Sequence, residues 1–144
     1  MDDLTHIFGE VISSYTRAQA IEDGELIDLT QFSFRPNLTV LDEVGIKYPV
    51  AMTRAAYCSA VQEDGRDLPP CQDLSGRMFD VVSMLRFAIK SSANGSEILY
   101  SLSVINWRSP TGTATKRETV KLKALCGPGD DGKPVITIML PDED

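Results

Sequence analysis

The stretch "TVKLKALCGPGDDGKPVITIML", residues 119–140, decides the fold. At its start Val120, Leu122 and Ala124 alternate with Thr119, Lys121 and Lys123, the period-two pattern of a strand with one wet face. At its end "PVITIML" is a β-branched run that stops before Pro141. Between them "GPGDDGK" concentrates turn residues, which suits an antiparallel connection. Just upstream, "EILYSLSVIN" sends Ile98, Tyr100, Leu102 and Val104 to one side and Ser101 and Ser103 to the other. Strands at 98–105, 119–126 and 135–140 therefore predict an antiparallel C-terminal meander.

A sheet with one apolar face needs cover, and the preceding segment supplies it. Over residues 76–90, Met78, Val81, Val82, Leu85, Ala88 and Ile89 recur at helical spacing, with Arg77, Asp80, Ser83 and Lys90 mostly away from them. Phe79 and Phe87 are read as widening that apolar face, and "SANG" ends the helix. Helices first and strands last predict an α+β fold, an antiparallel sheet of three or more strands packed against helices from the N-terminal half.

The N-terminal half is written in short, punctuated elements. In "TRAQAIEDG" Thr16 caps a helix of about 17–23, Gln19 completes a capping box, and Gly24 supplies the left-handed stop. "ELIDLT" reads as a short strand or extended link. "PNLTVLDEVG" reads as a brief helix with Asn37 or Thr39 as cap and Gly45 as stop. Pro49 in "IKYPVAMT" favours an edge position, and "TRAAYCSAVQEDG" repeats the grammar with Thr53 as cap and Glu-Asp-Gly as terminator. "GRDLPPCQDLSG", with its prolines and glycines, is a loop. The tail at 142–144 is expected to be disordered, and residues 1–144 to form a single domain.

At 144 residues, 42% hydrophobic and 24% charged, the chain has the composition of a globular domain. No apolar run approaches the ~18 residues of a membrane span. "MDDLTHIFGEV" is acidic where a signal peptide is basic, so a cytoplasmic location is expected. The net charge of −7 argues against general affinity for a phosphate backbone. Acids concentrate before Thr30 and bases between Trp107 and Lys123, so the chain has two poles.

Those residue types exclude several chemistries. Cys58, Cys71 and Cys126 are widely spaced without a C-x-x-C pair, and His6 is the sole histidine, so neither a metal site nor a cofactor is expected. Nucleophile–imidazole catalysis would have to rely on His6, in an acidic segment outside any motif. The pairs Glu22/Asp23, Asp42/Glu43, Glu63/Asp64 and Asp130/Asp131 read as turn or helix-end residues. "GPGDDG" lacks the Lys-Ser/Thr of a phosphate loop. An enzyme would need an unusual carboxylate/arginine site, for which Arg54, Arg77 and Asp80 are the candidates.

Two binding surfaces remain. The exposed side of the first helix, Tyr15, Arg17, Gln19 and Asp23, is the expected partner-binding surface, because a two-turn helix must dock its Ala/Ile side and present the other. The alternative is nucleic-acid contact through Trp107, Arg108, Lys116, Arg117, Lys121 and Lys123. Lys121 and Lys123 are equally accounted for as the solvated face of a strand, or as an edge protected by lysine.

The stretches "SYTRAQAIEDG", "GIKYPVAMT", "DLSGRMFDVVSMLRFA" and "GPGDDGKPVITIMLP" together resemble a domain-of-unknown-function family of short bacterial, phage and plasmid proteins. The likeness spans most of the chain, and "QFSFRPNLTV" departs from it as a longer connection. The resemblance implies no reaction, cofactor or site. It implies an accessory protein of a phage or plasmid, for which binding and inhibiting a host protein is the expected job by analogy.

Overall fold

The computed structural model describes residues 15–33, 35–92, 95–108, 112 and 114–143. His6, Asp2, Asp3, Glu10 and Asp144 lie outside the described residues, as does Phe34 of the 32–40 stretch. The elements run α1 (Arg17–Asp23), β1 (Leu26–Asp28), α2 (Val40–Val44), β2 (Val50–Thr53), α3 (Arg54–Ala60), α4 (Leu74–Ser91), β3 (Glu97–Trp107), β4 (Thr115–Pro128) and β5 (Pro134–Met139). The fold is α+β, with five strands ordered β1-β2-β5-β4-β3.

The expected meander is present: β3 pairs β4 and β4 pairs β5, both antiparallel. Two further strands extend it, and one junction differs in kind, since β2 pairs β5 in parallel through Val50↔Ile136 and Met52↔Ile138. Pro49 does not make β2 an edge. It stands just before the strand, needs no N–H there, and its carbonyl accepts from Ile136 N at 2.9 Å. Nor do Lys121 and Lys123 guard an edge, because β4 lies between β3 and β5.

Capping chemistry sets the helix ends. Thr16 and Thr39 each form a capping box, with Gln19 and Asp42, and Gly24 and Gly45 close these helices at φ 83° and 81°. Asn37 is not a cap; it takes the left-handed turn, φ 62°, that brings Thr39 into place. Helix α3 ends at Ala60, before Glu-Asp-Gly, with Val61 as its last cap. Helix α4 begins at Leu74, two residues before Gly76, because Asp73 accepts from Gly76 N.

The core lies between the sheet and the helices, with Val50, Met52, Leu122 and Ile138 from strands meeting Ala56, Val61, Met78, Val81, Val82 and Leu85. Two readings of α4 are corrected there. Phe79 and Phe87 do not widen the buried face, being 42% and 67% exposed, whereas Arg77, read as polar-facing, is 3% exposed. Glu143 of the tail is held in place: its carboxylate accepts from Thr53 Oγ1 and Leu140 N, each at 2.7 Å. Among the described residues no helix is long and apolar enough to cross a membrane.

Candidate functional site

The first helix spends much of its expected contact surface on the fold. Arg17 turns inward: its guanidinium donates to Thr137 Oγ1 at 2.6 Å and Ile136 O at 2.7 Å, and burial pulls its pKa below the ordinary arginine value. The Asp130 carboxylate accepts from Arg17 N and Ala18 N, which caps the start of α1 and holds Asp130 below the usual carboxylate range. Tyr15 stays 55% exposed and donates its hydroxyl to Asp23 Oδ2 at 3.0 Å, while Gln19 is engaged in the capping box. Tyr15 and Asp23 thus sit together, with Arg17 drawn away from them.

Arg54, Arg77 and Asp80 do not converge. Arg54 donates to Gly24 O and the Asp64 carboxylate. Asp80 is on the exposed side of α4, its pKa raised by partial desolvation, in a cleft with Phe79, Arg35 and Glu43. Arg77 crosses from α4 to the end of β3, donating to Gln72 Oε1, Val61 O, Ile105 O and Asn106 Oδ1. Every one of those acceptors is neutral, so the arginine works as a clamp. Burial lowers its pKa, with Cys71 and Glu118 acting the other way.

The basic cluster is divided by the pleat. Lys116 lines a cavity of about 250 Å³ with Arg77, Trp107, Arg108 and the acids Glu63, Asp67 and Glu118. There Lys116 pairs with Glu118 at 2.9 Å, Asn106 donates to Glu118, and both hold that carboxyl below its usual value. Trp107 donates its indole N–H to Asp67 O at 3.0 Å. Arg117, Lys121 and Lys123 alternate onto the opposite face of β4. The cavity is therefore of mixed charge, and the bases do not form one continuous track for a phosphate backbone.

Among the described residues a different feature stands open. Strand β3 is the last in the sheet. The terminal bonds of its ladder, Cys126 N to Ser96 O at 2.7 Å and Arg108 N to Ala114 O at 2.6 Å, fix its parity. Even-numbered residues of β3 bond to β4, and odd-numbered ones point their N–H and C=O away from the sheet. Ile105 confirms this, since its N–H meets Gln72 Oε1 and its carbonyl meets Arg77 Nη2. No such cover reaches further: the outward groups of Glu97, Leu99, Ser101 and Ser103 have no hydrogen-bond partner among the described residues. Sequence reasoning missed this site. The alternation in "EILYSLSVIN" marks a strand and says nothing about which neighbour it lacks.

Comparison with curated proteins gave no match, and neither did comparison with solved structures. The family comparison is decisive for membership: the model of a family of unknown function, DUF6573, matches residues 4–144, and the chain belongs to that family.

Proposed function

We propose that the protein is a non-catalytic protein-binding module, a small acidic accessory of a mobile element that acts in the cytoplasm by holding, and so inhibiting, a host protein. The observation that supports this reading is the open run of β3, residues 97–103. Such an edge is a ready template for another chain, and folded proteins ordinarily blunt it with lysine, proline, a bulge or a covering loop. Among the described residues the cover, supplied by Gln72 and Arg77, stops at Ile105. At the other edge β1 has three residues, too few to offer a comparable template. The clamp-like bonding of Arg77 adds to this reading, because four of its five N–H donors are committed to carbonyl oxygens of the fold.

The test uses Ser101→Pro, which removes one outward N–H and leaves the β4 ladder intact. In affinity capture from a bacterial lysate, wild-type protein is expected to retain a host protein that Ser101→Pro loses while melting at nearly the same temperature. Equal capture by both proteins, or by neither, overturns the reading.

A further inference from the structure

We infer that the segment added at β3 is a bare extended strand with apolar residues on its helix-facing side and an acidic residue on the other, opposite Ser101. This inference rests on the protein-binding reading and names the partner's chemistry.

The edge of β3 has a helix side and an open side. Arg77 reaches the outward carbonyl of Ile105, so its side of α4 is turned toward the edge. Met84 lies seven residues on and Ala88 eleven, two and three helical turns later, and both therefore share that side. Tyr100 donates its hydroxyl to Val81 O at 3.4 Å, so α4 runs back along β3 as its numbering rises. From Arg77 to Ala88 the helix advances ~16 Å, about five strand residues, which sets Met84 and Ala88 above the open part of the edge. Met84 is 38% exposed and Ala88 half-buried, an apolar wall that an added strand's helix-facing side chains would complete.

On the other face the register puts Lys121 beside Ser101, Lys123 beside Leu99 and Arg117 beside Ile105. Ser101 is small, and Lys121 is exposed and forms no ion pair among the described residues. A carboxylate on the added strand opposite Ser101 could reach over the serine to the Lys121 ammonium. A basic residue there would meet the Lys121 ammonium instead, with Lys123, bonded to Glu143 O, one pair along and the acid Glu97 only at the far end of that face. Both faces thus favour one pattern, apolar alternating with acidic.

The occupant is not a second copy joined edge to edge. Two β3 strands would sit ~4.8 Å apart with an α4 above each on the same face, whereas packed helices need 8–10 Å between axes. A chain without its own covering helix fits.

Synthetic ten-residue peptides of alternating Val/Glu, Val/Lys and Val/Ser serve as probes, followed by amide chemical shifts and hydrogen exchange of the wild-type protein. Val/Glu is expected to bind at least tenfold tighter than Val/Lys and to slow exchange at Leu99, Ser101 and Ser103. Lys121→Glu should reverse the order, and Met84→Asp should weaken Val/Glu and Val/Ser alike. Equal binding of the three peptides, protection elsewhere, or no reversal by Lys121→Glu overturns this inference. If Ser101→Pro still abolishes lysate capture while the Val/Glu preference is absent, the acidic-strand inference fails and the binding-module reading stands. If the peptides behave as expected but capture is the same for both proteins, that reading fails instead.

Discussion

Arg77 places a cation in the seam between α4 and β3 with no carboxylate in direct contact among the described residues. Its stability depends on four oriented neutral oxygens, and the carbonyls of Val61 and Ile105 in turn depend on the guanidinium. Replacing it with Met keeps much of the volume and orphans the carbonyls of Val61 and Ile105. We expect Arg77→Met to cost about 3 kcal/mol in urea unfolding, and Arg77→Lys roughly half of that, since an ammonium cannot span four acceptors. Equal losses would mean that the charge contributes nothing there and the fork geometry alone matters, and no loss with Lys would mean that charge alone matters. Arg17 behaves similarly on a smaller scale, with two donors spent on β5, so Arg17→Ala should cost about 1–2 kcal/mol.

Helix starts are the chain's most strongly specified elements, and two depend on carboxylates from different distances. Asp73 is a local cap, accepting from Gly76 N at 2.6 Å and from Ser75 Oγ, and these bonds depress its pKa. Asp130 reaches α1 from the β4–β5 turn, more than a hundred residues away in sequence. A carboxyl with a depressed folded pKa contributes stability that is present above its unfolded value and lost as pH falls through the folded one. Acid unfolding should therefore weaken both starts below the ordinary carboxylate range. Asp73→Asn and Asp130→Asn, which keep an acceptor without the charge, should flatten the acid limb of urea midpoints measured against pH; an unchanged slope would remove the assignment. The contrast explains what the sequence made legible. Thr16, Thr39 and Thr53 act on their own next turn, so local spacing reveals them. Asp130, Arg17 and Arg77 find their partners across the fold, where no local period carries a signal. Phe79 and Phe87 misled for the opposite reason: hydrophobicity suggested burial, but among the described residues they are left 42% and 67% exposed on their side of α4. The candidate site was the least legible of all, because an open edge is a property of strand order.

At the scale of the whole molecule, the sheet joins two kinds of pairing with unequal loop costs. The β3–β4 and β4–β5 ladders are hairpins, closed by short connections. The β2–β5 ladder joins residues 50–52 to 136–138, so its closure must span two helices and two strands. By the logarithmic growth of loop entropy, that closure costs about 2 kcal/mol more than a hairpin, and it returns contacts only after β5 is already paired to β4. The meander should thus form in the folding transition state, with α4 packed on it, and β2 should join afterwards. Leu122 and Met52 are both fully buried, one on each side of this division, so truncation to Ala should destabilise each by about 2–5 kcal/mol. Their kinetic signatures should differ. Leu122→Ala should slow folding in stopped-flow chevrons, while Met52→Ala should leave folding nearly unchanged and speed unfolding. If Met52→Ala slows folding as much as Leu122→Ala does, the parallel pair forms early, and the order argued from loop closure is wrong.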